Sequence, residues 1–262
     1  MHNAEETSVP VSYLRRAGKP ALAYRYSPPD PQKSHWPLVM FCGGYKSDME
    51  GTKATWLEAQ CRARGQGFLR FDYSGHGRSE GAFEDGTIGA WMEDALTILD
   101  EIAQGPVLLV GSSMGGWIAL LLARARAGKV QGLIGIAAAP DFTEELYALR
   151  LSDAQKIQLA EQGYAEIPND YSDEPYHFTK NFYEEAKEHL LLTHSQTVDF
   201  PLRLIQGMQD KDVPWETALK IQKNYDGPEI DTIFVDDGDH SLSRPEDLTL
   251  IDKEIKSLSG IL

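Results

Sequence analysis

The sequence predicts an α/β fold: a mostly parallel central sheet with helices on both faces and a helical cap inserted into it. Three observations carry that reading. Short, β-rich apolar runs recur along the chain, helical patterns fill most of the gaps between them, and one interval of roughly sixty residues breaks the rhythm. Strands that alternate with helices must cross over to pair in parallel, and the crossovers cover both faces of the sheet. The runs fall at about 21–26 (ALAYRY), 38–42 (LVMFC), 68–71 (FLRF), 106–111 (PVLLVG), 130–138 (VQGLIGIAA), 202–206 (LRLIQ) and 230–235 (IDTIFV). Helical patterns fall at about 52–64, 87–103, 115–127, 215–225 and 245–258. From Pro140 to Phe200 no buried strand is evident. Stretches rich in Glu, Leu, Tyr and Phe are punctuated there by Gly163, Pro168 and Pro175. A structureless loop of that length is uncommon in a compact domain, so the interval is read as a helical cap above the strand ends. The expected division is therefore a core of 1–139 and 201–262 with a cap of 140–200.

Length and charge bound the function. A chain of 262 residues can bury a sizeable single core. A formal charge of −15 argues against nucleic acid as a partner, because phosphate backbones are held by clustered Lys and Arg. No uninterrupted apolar run approaches the ~18 residues of a membrane span. The polar, acidic start MHNAEETSVP resembles neither a secretory signal nor an Arg-rich transit peptide, so a cytoplasmic protein is expected. Cys42 and Cys61 stand at no metal-like spacing, which fits reduced thiols. The sequence calls for no cofactor and no metal, and it says nothing about oligomeric state.

The chemistry concentrates in LLVGSSMGGW, Leu108 to Trp117. Gly111-x-Ser113-x-Gly115 follows a strand and opens a helix, the context that a nucleophile elbow requires. A turn so tight brings neighbouring backbone into contact with positions 111 and 115, where a Cβ would collide. Ser113 would then sit strained, with its hydroxyl above the sheet at the positive end of the following helix, and Ser112 would serve as support. A plain Gly/Ser turn with a serine helix cap uses the same residues, so the partners decide. A serine hydroxyl needs a base, and the base needs an orienting carboxylate. His240, in VDDGDHSLSR past the last strand, is the histidine that remains after the 202–206 strand. In LIQGMQDKDVPW, Asp210 is the expected acid and Asp212 the reserve, while Asp239 adjoins His240 and serves its own loop. For the oxyanion, the amide of Met114 and one from the Gly43-Gly44-Tyr45 loop, that of Tyr45, are the candidates.

Other features receive structural readings. Cys42 is expected to be a packing thiol. His76, in RFDYSGHGRSEG, precedes Ser113 and has no ligand-spaced partner, so it is expected to be structural. Tyr171, Tyr176, Phe178, Phe182 and Tyr183 either line an acyl pocket or pack the cap onto the body.

Taken together, GYKSDMEGTKA, FDYSGHGRSEGAFEDGTIGAWMEDAL, GPVLLVGSSMGGWIALLLA, FTKNFYEEAKEHLLL and GMQDKDVPW make the chain resemble an α/β hydrolase. Within that superfamily it is similar to the group of palmitoyl-protein thioesterases and acyl-glucuronide esterases. The resemblance runs from about 43 to 240. It implies Ser113, Asp210 and His240 as a triad beneath a helical cap, acting on carboxylic esters or thioesters of small acyl substrates. The acidic start departs from a mitochondrial leader and points to a bacterial-type relative, whose natural substrate need not be a palmitoyl protein. The same triad also serves lactonases, acyltransferases and carbon–carbon hydrolases, and a catalytically silent binding protein can keep the fold. A haloalkane dehalogenase would need a carboxylate at 113, where this chain has serine.

Overall fold

The computed structural model describes residues 9–168 and 175–261. In chain order the elements are β1 (Ser12–Arg16), β2 (Lys19–Ser27), β3 (Leu38–Cys42), α1 (Thr52–Arg64), β4 (Phe68–Phe71), α2 (Ile88–Glu101), β5 (Val107–Ser112), α3 (Met114–Ala125) and β6 (Val130–Ile136). They continue as α4 (Phe142–Glu145), α5 (Asp153–Gln162), β7 (Tyr164–Ile167), β8 (Tyr176–Thr179), α6 (Lys180–Ala186), β9 (Gln196–Thr197), β10 (Leu202–Gly207), α7 (Glu216–Asn224), β11 (Tyr225–Asp226), β12 (Ile230–Val235) and α8 (Pro245–Leu258).

Eight strands form one sheet in the order β1-β2-β4-β3-β5-β6-β10-β12. The ladders from β4 to β12 are parallel, and β1 and β2 join antiparallel at one edge. The central strands β3 and β5 are buried along their whole length, which explains why their sequences are apolar on both faces. One face is packed by α2, α3 and α7 through Trp91, Ile98, Trp117, Leu121 and Ile221. The other is packed by α1 and α8 through Leu57, Cys61, Ile251 and Ile255. Local signals place the helix ends: the Thr87 side chain accepts from the Ala90 amide at the start of α2, and Gly65, at φ 79°, closes α1.

Beyond a two-residue parallel ladder of β9 and β11, which the sequence did not predict, two larger features differ from the sequence expectation. Strand β1 lay outside the predicted set; it is an edge strand of mostly exposed residues, so it carries no apolar run. The interval between β6 and β10 holds helices, as expected, but also an antiparallel ladder of β7 and β8, from Tyr164↔Thr179 to Ile167↔Tyr176. Ala165 and Phe178 pair on its buried side, while Glu166 and His177 face out. Four residues per strand are too few for that alternation to stand out among helical neighbours. After α4 the chain widens into a π-helical turn, Leu146–Arg150. Among the described residues no helix is long and apolar enough to cross a membrane.

Candidate active site

The site is built at the carboxyl ends of β5, β10 and β12, where an open α/β sheet gathers its loops. β5 ends at Ser112 and α3 begins at Met114, which leaves Ser113 alone to turn the chain, at φ 56° and ψ −122°. For a non-glycine residue that conformation is strained, and three backbone bonds hold it. Ser113 donates its amide to Ile136 (2.9 Å), and its carbonyl accepts from Gly116 (2.9 Å) and Ala139 (3.1 Å). The glycines have the steric cause the sequence proposed. A Cβ at Gly111 would stand 2.3 Å from the Gly115 carbonyl oxygen, and one at Gly115 only 2.1 Å from that of Cys42.

Asp210 follows β10 in a tight turn, its Oδ1 accepting from the amides of Asp212 (2.8 Å) and Val213 (2.9 Å). Its Oδ2 faces His240 Nδ1 at 2.8 Å, and His240 Nε2 lies 3.1 Å from Ser113 Oγ. The structure thus brings Ser113, His240 and Asp210 into one hydrogen-bonded line. Burial pushes the Asp210 carboxyl upward, but the hydrogen bonds and charge of His240 and the two turn amides outweigh it and hold the group below the usual carboxylate range. Asp239 accepts instead from Ser241 Oγ (2.8 Å) and the Leu242 amide (3.0 Å), within its own loop. The acid turn and the histidine loop approach so closely that a Cβ on Gly207 would meet the Gly238 carbonyl oxygen at 2.4 Å.

Facing the line is the Gly43-Gly44-Tyr45 loop. A Cβ on Gly44 would lie 3.4 Å from Ser113 Cβ, so this backbone already touches the serine side of the elbow. Met114, the first residue of α3, has no carbonyl one turn back to occupy its amide. Tyr45 and Met114 both border a cavity of about 880 Å³ that also opens onto Ser113 and His240. Phe142, Leu146, Leu151, Ile167 and Phe178, all from the interval between β6 and β10, form an apolar wall. Of the five aromatic residues considered from sequence, Tyr176 and Phe178 line this cavity. Phe182 and Tyr183 are buried in the packing beneath, and Tyr171 lies outside the described residues. Cys42 is fully buried, and that burial pushes its thiol up to about 12, so it stays protonated and inert.

Two contributors escaped the sequence reading. Gln206 Nε2 donates to Asp210 Oδ2 (3.1 Å) and ties it to the Val213 carbonyl (3.3 Å). Lys53, near the start of α1, borders the cavity and donates to the Ser241 carbonyl beside His240. A cation there opposes the positive end of its own helix, and that mismatch was the available signal. Among the described residues, one cluster of acidic and histidine groups could approach a metal, Asp210, Asp212 and His240. There His240 Nδ1 lies 2.8 Å from Asp210 Oδ2 and His240 Nε2 lies 3.1 Å from Ser113 Oγ, while Asp210 Oδ1 accepts two amides.

Fold and site define a serine hydrolase of the α/β-hydrolase type. The profile of the family described as Serine aminopeptidase, S33 matches residues 34–210, and the chain belongs to that hydrolase family. It is 39% identical over 258 residues to the Palmitoyl-protein thioesterase ABHD10, mitochondrial, of Mus musculus, covering 96% of this chain and 84% of the relative. Among solved structures it is similar to a putative hydrolase from Agrobacterium vitis, with a TM-score of 0.91 and 37% identity, covering 96% and 99% of the two chains. It is also similar to the alpha/beta hydrolase domain-containing protein 10 from mouse, with a TM-score of 0.87 and 37% identity, covering 95% and 98%.

Proposed function

We propose that the protein hydrolyses carboxylic esters or thioesters of small acyl substrates through an acyl-enzyme on Ser113. The observation that carries this reading is the unbroken line from Asp210 through His240 to Ser113 Oγ, at 2.8 and 3.1 Å, on the wall of a large cavity. His240 Nε2 takes the Ser113 proton as Oγ attacks the acyl carbon, and returns it to the leaving oxygen or sulfur. Asp210 holds the imidazole with Nδ1 protonated and stabilises its cation. The amides of Tyr45 and Met114 receive the developing oxyanion. Water, activated by the same histidine, then attacks the acyl carbon and releases Ser113.

Residues 140–200 act as a cap in this reading, with their apolar wall against the acyl group. The relatives named as palmitoyl-protein thioesterases support an acyl thioester among the substrates. A reducing compartment such as the cytoplasm suits the two buried free thiols, Cys42 and Cys61.

The test is turnover of p-nitrophenyl esters from acetate to palmitate, and of the matching acyl thioesters, by wild type and Ser113→Ala. Loss of kcat by about 10⁴ or more in the variant is expected, on the scale of removing a triad member. Near-normal turnover by the folded variant sinks the proposal.

A further inference from the structure

His76 is buried to 3% exposure beside the site, and none of the steps above uses it. Its ring is held edge-on by Tyr73, Phe83 and Trp91, at centroid distances of 5.4, 5.1 and 4.9 Å. Each ring nitrogen has one backbone neighbour. Nδ1 lies 3.2 Å from the Ser74 carbonyl oxygen, and Nε2 lies 3.2 Å from the Lys46 amide nitrogen. A carbonyl can only accept and an amide N–H can only donate, so the contacts require a neutral ring with the proton on Nδ1 and a bare Nε2. Burial pushes the ring down to about 4 against the Ser74 carbonyl and the charge of Asp94, which keeps that neutral form in place near neutrality.

Lys46 sits at φ 58°, a left-handed conformation that a side-chain-bearing residue does not hold cheaply. It directly follows Tyr45, whose ring packs into the same aromatic group, 4.9 Å from Phe83 and 5.9 Å from Trp91. On the near side, Ser47 returns both its amide (3.2 Å) and its hydroxyl (2.9 Å) to the Gly44 carbonyl. The peptide between Gly44 and Lys46 is thus tied at both ends.

We infer that His76 is a positioning residue for the oxyanion: by accepting from the Lys46 amide, its Nε2 fixes the strained loop and aims the Tyr45 amide at the reacting carbonyl. The inference rests on the triad reading given above, with Tyr45 as the loop-side donor.

His76→Phe keeps a ring for the aromatic group and deletes the acceptor, while His76→Gln can offer an amide oxygen near the place of Nε2. In the phenylalanine variant kcat is expected to fall tenfold or more with KM within about twofold, since a displaced oxyanion donor acts in the transition state. Binding of phenylboronic acid, whose tetrahedral adduct on Ser113 Oγ puts an oxygen in the oxyanion position, should weaken by a similar factor. His76→Gln should recover most of both. A folded phenylalanine variant with wild-type kcat and boronate affinity overturns the inference and leaves His76 as packing. Should that variant not fold, a ¹⁵N-histidine spectrum of the wild type still decides: the Nδ1–H form at pH 7 is required, and an Nε2–H form or an imidazolium rejects the inference. Ser113→Ala, run alongside, separates the two levels: if it keeps its turnover, the triad reading fails and this inference with it.

Discussion

Ser113 and Asp210 are each singled out by backbone before any chemistry begins. The elbow forces Ser113 to φ 56°, and the Asp210 turn spends Oδ1 on two amides so that Oδ2 is left for His240 and Gln206. From this asymmetry Asp210→Asn is expected to lower kcat by about 10³–10⁴, because an amide there stabilises the wrong histidine tautomer. Asp212→Ala should stay within about threefold, and steady-state kinetics of the two variants checks both; the reverse ranking would exchange the roles. His76 adds a stability term with a definite sign. Its folded value is about 4 and its ordinary value 6.5, so between those pH values the unfolded chain takes up a proton that the native chain refuses. Stability therefore falls as pH drops from about 6.5 and levels off below about 4. Urea midpoints at pH 7.5 and 5 should show wild type losing about 2 kcal/mol more than His76→Gln, and parallel losses would mean that His76 does not titrate this way. The identities of these groups were readable from sequence because motif and chain order constrain them: Ser113 by its glycines, His240 by its place after the last strand. Lys53 and the His76–Lys46 contact were not, since each acts across 30 or more positions, and Gln206 was not, because only the folded turn after β10 brings its amide onto Asp210 four residues on.

Among the elements, the elbow is the least tolerant junction, because three backbone segments converge there. A methyl group on Gly115 would overlap the carbonyl oxygens of Cys42 (2.1 Å) and Gly43 (2.5 Å), and neither can rotate away as a side chain could. Gly115→Ala should destabilise the fold by about 3 kcal/mol or more, a drop in Tm of roughly 6–12 °C for a chain of this size. Gly128→Ala, with nothing within 4 Å of the added Cβ, is the control and should leave Tm within a degree or so. Equal melting of the two variants would mean that the crowding at 115 is relieved elsewhere. The strands that make the elbow were legible because they are buried on both faces and therefore read as unbroken apolar runs. β1 was hidden by its exposure. The ladder of β7 and β8 was hidden by its brevity, although its alternation of Ala165 and Phe178 against Glu166 and His177 is a regular strand pattern once the pairing is known.

For the whole molecule, specificity follows from how the chain divides its labour. The sheet ends hold the hydrogen-bonded line of Asp210, His240 and Ser113, while the interval between β6 and β10 supplies the apolar wall of the cavity. The interval closes on itself at Asp141, whose carboxylate accepts from the amides of Leu191 and Leu192 (both 2.8 Å) as the chain returns toward β10, and it is tied to the body where Trp117 Nε1 donates to the His189 carbonyl (3.1 Å). If the acyl chain lies along that wall, bulk added there should shorten the chain the enzyme accepts without touching the chemistry. Leu146 is the suitable position: it is half-buried, borders the cavity and sits in the π-helical turn, away from Ser113 in sequence and from the hydrogen bonds of the triad. Leu146→Trp that displaces two methylenes from the wall should cost about 1.6 kcal/mol, roughly fifteenfold in kcat/KM, for the palmitate ester. The acetate ester, too short to reach the wall, should change less than about twofold. A loss equal for both esters would move the acyl chain elsewhere in the cavity and assign this wall to the leaving group.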